Sequence, residues 1–201
     1  MPLPKKPRSV PATPDDQSEY KDRLLDAAAE IIAAGGLEGL TAGKLAAHVG
    51  LKRTVVHYHF GTMDHLLAAL VRRSFAEMRE NIRKRFSIST IGKDIWEQYS
   101  ISMATAEAFR ARALASSVVG EAYREVGEDL NAMLSEMLQE AYIRRGAQPE
   151  VPTEVMAQVI LMSAQFVGSQ RSLGTPGIEA VERYLKALFA VTGDGADDPE
   201  R

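Results

Sequence analysis

The chain has 201 residues, 45% of them apolar and 25% charged, enough for a packed core of ordinary size in one large domain or two small ones. It has no cysteine, which excludes disulfides and thiolate metal sites. It also lacks any apolar run of about eighteen residues that would span a membrane and shows no apolar leader after Met1, so the expected location is the cytoplasm. The net charge of −3 hides an asymmetry: residues 1–20 are neutral, residues 21–85 carry +4 and residues 86–201 carry −7. Positive charge therefore gathers in one segment, where a phosphate contact would use it.

Pro2, Pro4, Pro7, Pro11 and Pro14 keep residues 1–18 out of the interior of a helix or sheet, so residues 1–19 are expected as a flexible arm with a charge cluster of Lys5, Lys6 and Arg8. Leu24, Leu25, Ala28, Ile31 and Ile32 then recur at helical spacing, and Gly35-Gly36 ends that helix. Thr41 stands as an N-cap before a short helix with Leu45, Ala46 and Val49. Gly50 breaks the chain, and a second short helix runs from near Lys52 to Phe60-Gly61. Thr62 caps a long helix whose apolar stripe, Leu66, Leu67, Leu70, Val71, Phe75, Met78, Ile82 and Phe86, holds for about six turns. Further helices are expected near 93–108, 109–119, 121–145, 153–171 and 177–191, separated at Gly92, Gly120, Gly146 with Pro149 and Pro152, and Gly174-Thr175-Pro176-Gly177. The tail 193–201 is acidic, poor in apolar residues and expected to be disordered. No strand-like alternation of useful length is present, so the expected fold class is all-α with about nine helices.

The stretch Thr41 to Phe60, TAGKLAAHVGLKRTVVHYHF, has the form of a helix-turn-helix. Ala46 is small where the two helices come closest, and Gly50 permits the tight turn. Leu45, Val49, Leu51, Val56 and Phe60 are spaced to pack on the first helix. The remaining side chains mix cations, a hydroxyl, imidazoles and an aromatic ring, which suits phosphate oxygens and base edges in a major groove.

The whole segment LLDAAAEIIAAGGLEGLTAGKLAAHVGLKRTVVHYHFGTMDHLL resembles the TetR family over about 50 residues: a first helix ending in Gly, a Thr, an apolar-Ala pair, a Gly turn, a short helix ending in aromatics and Phe, and a capped fourth helix. The resemblance implies a three-helix DNA-binding domain, residues 20–66, and a ligand-binding and dimerisation domain, residues 67–192. It implies DNA contacts from Thr41 and Lys44, from Lys52, Arg53, Thr54 and Val55 in the first turn of the recognition helix, from His57, Tyr58 and His59, and from Thr62. Val55 stands where the family often has Thr, and His57 where Tyr is usual; a methyl contact to thymine and a bond to phosphate remain open to them. Gly61 and Met63 replace two frequent lysines, and the arm with Lys5, Lys6 and Arg8 is a candidate to supply that charge, against the reading of a solvated tail.

In the second half, Trp96, Tyr99, Met103, Phe109, Tyr123, Met137, Met162 and Phe166 offer bulky apolar surface for a pocket, with Gln165 as a polar anchor, or else plain core. The last two expected helices have apolar residues on more than one face. Val155, Val159, Ser163 and Val167, with Val181, Leu185 and Leu188, are therefore expected against a second copy, the alternative being a central position in the protomer.

His57 and His59 are two apart on a helix and point about 200° apart, so they do not share an ion. Neither Glu-x-x-His nor His-Glu-x-x-His occurs, and no metal or other cofactor is expected. Nucleophile elbows, phosphate loops and dinucleotide fingerprints are absent, which speaks against an enzyme. The expected function is a homodimeric transcriptional regulator, most readily a repressor released from palindromic double-stranded DNA by an apolar or aromatic small molecule. A helical interaction module with a relic helix-turn-helix, or an all-helical enzyme, is the alternative.

Overall fold

In a computed structural model, the backbone is described for residues 14–85, 103–144 and 146–191. Trp96, Tyr99, Phe86, Gly92 and the Lys5, Lys6 and Arg8 cluster lie outside them, as do the acidic tail and the side chains of Met103 and Leu188. The described residues are all helix and connecting turns, in eight α-helices, and the chain divides into two units after Leu66.

In the first unit, α1 spans Pro14–Gly35, α2 Ala42–His48 and α3 Arg53–Phe60, with a 3-10 turn at Leu37–Gly39. Helix α1 opens at Pro14, inside the stretch expected to stay out of helices. The first turn is where proline is compatible with a helix, because its missing N–H has no intrahelical partner there. Leu24, Leu25, Ala28 and Ile32 of α1 are buried, as are Leu45 and Ala46 of α2 and Val56 and Phe60 of α3. These side chains form the core that fixes the two short helices. Helix α2 starts where Thr41 Oγ1 accepts the Lys44 amide at 3.2 Å, and ends where the Leu51 amide reaches the Ala46 carbonyl at 2.8 Å. Gly50, at φ +69°, makes that turn, in a region where a side chain is strained.

Helix α4, Met63–Arg85, follows Gly61 and Thr62. Thr62 Oγ1 accepts the His65 amide at 3.2 Å, so the expected cap is present.

The second unit adds α5 (Met103–Ala115), α6 (Ser117–Arg144), α7 (Thr153–Ser172) and α8 (Ile178–Val191). Here two expected boundaries move. Helix α5 runs unbroken through residues 108 and 109, and the break expected at Gly120 falls at Ser116, whose hydroxyl accepts the Val119 amide at 3.5 Å. Gly120 lies inside α6. A Cβ there would stand 2.7 Å from the Ala113 carbonyl oxygen, so glycine serves the close approach of α5 rather than a helix end. Leu134 and Leu138 of α6 pack with Ala157, Ile160, Ala164 and Val167 of α7 and Ile178 of α8 to form the unit's core. A buried Ser135–Thr153 hydroxyl pair at 2.8 Å ties α6 to the start of α7.

Candidate nucleic-acid interface and ligand cavity

Helix α3 has two faces. Val56 and Phe60, one turn apart, are buried; Arg53, Thr54, His57 and Tyr58 are exposed on the other side, Tyr58 to 72%. The polar face is therefore displayed by a short helix whose orientation the core fixes. Thr41, Lys44, Lys52 and Thr62 are also exposed, while Val55 and His59 are half-buried. The expected residues of this module thus lie in α2 and α3 and at their ends, most of them exposed.

His57 donates from Nδ1 to the Gly61 carbonyl at 3.0 Å, which leaves its Nε2 edge for an outside partner. His59 is held differently. Its ring lies beside Tyr20, at 6.4 Å between centroids, and meets Tyr58 edge-on at 5.3 Å. Burial, and then the nearby Lys21 ammonium, hold its pKa below the ordinary 6.5. His59 therefore serves partly as a support for the Tyr58 ring, a role that only Tyr20, from α1, reveals. His48 pairs with Glu30 at 2.8 Å and ties the end of α2 to α1.

In the second unit a cavity of about 380 Å³ lies between α6 and α7, with Phe75 of α4 in its wall. Of the expected ligand residues it gathers Tyr123, Met162 and Gln165. Gln165 Nε2 donates to Tyr123 Oη at 3.0 Å, and the Phe75 ring meets Tyr123 edge-on at 6.3 Å. Phe166 lines a neighbouring depression with Arg110 and Gln170. Phe109 and Met137 are buried and do not line the cavity; they belong to the packing. Gly127, Asn131 and Gln158 also line it and were not foreseen. Their one legible signal is the spacing Tyr123, Gly127, Asn131, which repeats every fourth residue along one helix face.

On α7, Val155, Val159, Met162 and Phe166 form a stripe and are each 46–59% exposed; Val181 and Tyr184 of α8 are exposed as well. Ser163 and Leu185 are half-buried. Val167, expected on the dimer face, is 1% exposed and packs in the protomer's own core, out of reach of a second copy. It lies one residue beyond Phe166, about 100° round the helix from the stripe.

Residues 24–70 match the family described as bacterial regulatory proteins, tetR family. Over these residues the chain is similar to the TetR family. Over 71 residues it is 32% identical to the HTH-type transcriptional repressor AcnR of Corynebacterium efficiens, a stretch covering 35% of this chain and 38% of that protein's own length. The similarity of fold extends much further. A TetR transcription regulator from Haloarcula marismortui superposes with a TM-score of 0.70 over 88% of this chain and 98% of its own, at 18% identity. The transcriptional regulator FadR from Bacillus subtilis, in complex with stearoyl-CoA, does so at 0.64 over 87% and 99%, at 15% identity. TetR-family likeness in sequence is thus concentrated in the helix-turn-helix, while the helical architecture is shared along most of the chain.

Among the described residues no helix is long and apolar enough to cross a membrane, and no cluster of His, Asp or Glu has the form of a metal site.

Proposed function

We propose that the chain is a non-enzymatic, homodimeric transcriptional repressor that leaves a palindromic operator when a small molecule binds its second unit. The observation that carries this reading is the outward face of α3, where Arg53, Thr54, His57 and Tyr58 are exposed over a core that fixes the helix. Guanidinium, hydroxyl, imidazole and phenol groups together make contacts to phosphate and to base edges. Thr41, Lys44, Lys52 and Thr62 add contacts at the helix ends, and Val55 and His59 complete the set from the flanks. Residues 20–66 act as the reader and residues 67–192 as the sensor and dimer module.

The exposed stripe Val155, Val159, Met162 and Phe166 supports pairing of two copies through α7 and α8. In such a pair the two recognition helices enter successive major grooves, about 34 Å apart. The cavity between α6 and α7 supports ligand sensing, and FadR, which shares the fold, is solved with stearoyl-CoA. Phe75 places α4 in the cavity wall, so a ligand that favours one setting of this helix shifts the DNA equilibrium by its differential affinity for the two states.

A gel shift against the DNA upstream of the chain's own gene tests the reader. The expected result is a complex on a palindrome that weakens steeply with salt and is lost in the Arg53→Ala/Tyr58→Ala variant. Absence of any complex at low salt would overturn the reading and favour a relic helix-turn-helix.

A further inference from the structure

Beside the cavity between α6 and α7 lies a second depression, of about 280 Å³, between α5 and α7. Met162 and Gln165 line both, so the two adjoin. Gln165, committed to the Tyr123 hydroxyl at 3.0 Å, fixes the wall they share. Their charges differ. Among the described residues that line the first, Arg124 and Glu128 are of opposite sign; among those that line the second, Arg110 is the one charged residue. The polar residues nearby can donate to an anion. Ser169 contributes a hydroxyl. Gln170 accepts the Thr175 hydroxyl on Oε1 at 2.8 Å, which leaves its Nε2 hydrogens for another partner. Arg110 is exposed and takes part in a further interaction within the chain, but a guanidinium has five N–H donors and one partner does not exhaust them.

We infer that the two depressions together take an elongated monocarboxylate: its apolar body lies against Phe75, Tyr123 and Met162, and its carboxylate is bound by Arg110, with Ser169 and Gln170 donating beside it. The inference rests on the sensing role proposed above and gives the ligand a charge and a length. An anion in the first cavity meets Glu128 as well as Arg124, so the second depression is where negative charge is favoured. A guanidinium binds a carboxylate through two parallel N–H···O bonds, which fixes the ligand's end as well as neutralising it. Met162 and Phe166 also belong to the stripe proposed for the second copy, so pairing covers the apolar rim of this depression and encloses the ligand's body.

The test titrates 6-phenylhexanoate and its neutral amide, 6-phenylhexanamide, calorimetrically into the full chain and into the Arg110→Gln and Arg124→Gln variants. Both positions are exposed, and thermal melts establish that each variant is folded. The natural chain is expected to bind the carboxylate about tenfold more tightly than the amide, the gain that a charge-assisted bond to a guanidinium supplies. Arg110→Gln is expected to erase the preference, and Arg124→Gln, which removes a cation from the first cavity instead, to keep it. Equal binding of the two probes by the natural chain, no binding of either probe, a preference that survives in Arg110→Gln, or one lost equally in Arg124→Gln overturns the inference. Gel shifts with and without 6-phenylhexanoate keep the two proposals apart. A carboxylate preference without any DNA complex, or with a complex that the probe leaves unchanged, sinks the regulatory reading and spares the ligand site. A DNA complex with no carboxylate preference sinks the site alone.

Discussion

Arg171, in the last turn of α7, donates from its guanidinium to Glu182 of α8, whose side chain is only 10% exposed. The pair links the two helices that carry the exposed apolar stripe. Removing the cation takes the guanidinium away from a carboxylate shielded from water, which costs more than the pair itself contributes. Arg171→Met is expected to lower stability by about 1–3 kcal/mol, read as a drop in the urea midpoint at constant slope. Adding Glu182→Gln should recover part of the loss, because the buried charge is then gone. A double variant less stable than the single would refute this account.

Two glycines of α6 should respond to alanine with opposite signs. At Gly120 the new methyl meets a backbone oxygen that has no rotamer to escape into, so Gly120→Ala is expected to cost about 1–3 kcal/mol. At Gly127 the methyl enters open space and the helix gains backbone rigidity, so Gly127→Ala is expected to stabilise by up to about 1 kcal/mol. Differential scanning calorimetry of the two variants decides the matter in one experiment.

Thr41 accepts the Lys44 amide at the start of α2. Its replacement by alanine should cost about 1 kcal/mol, and serine should restore most of it, because the hydroxyl rather than the methyl is used. Equal loss in both variants would assign the role to side-chain packing instead.

Acid should weaken the first unit through His59. Its folded-state pKa lies below 6.5, mainly through burial and secondarily through Lys21. Above 6.5 both folded and unfolded chains hold it neutral, and it contributes no slope. As pH falls below that value the unfolded chain takes up the proton first, so stability declines until the folded pKa is passed. The melting point is therefore expected to fall over this window, and less so in His59→Gln. An identical slope in both proteins would show that other groups govern the acid limb.

A charge in the α7 stripe should separate the copies. Val159→Glu places a carboxylate at a half-exposed position, so the protomer's own fold should change by no more than about 0.5 kcal/mol. Sedimentation is expected to show the natural chain at twice the protomer mass and the variant at the protomer mass. A natural chain that sediments at the protomer mass would remove the dimer from the proposal.

How much of this was readable from residues alone depended on whether a feature was local. Thr41 and Thr62 cap their helices with their own hydroxyls, three residues from the amides they satisfy, so nothing distant was needed to place α2 and α4. Gly50 likewise makes a turn within its own neighbourhood. Gly120 misled because glycine serves both helix ends and close contacts, and only the position of the Ala113 carbonyl distinguishes them. The same limit applied on α7. Val159 and Val167 have the same chemistry and helical spacing, yet one is half-exposed and the other lies in the core. The four-residue spacing could place Asn131 on a helix face with Tyr123, but not show that its oxygen is buried and unpaired among the described residues, which what surrounds it decides.

Only Gly61 and Thr62 separate α3 from α4, with Gly61 at φ +70° and Thr62 already committed to the His65 amide. That junction has no slack to absorb a change of length. One residue added or removed inside the first turn of α4 turns the residues that follow in that helix by about 100° about its axis. A change of length made here should therefore leave the two-residue elbow untouched.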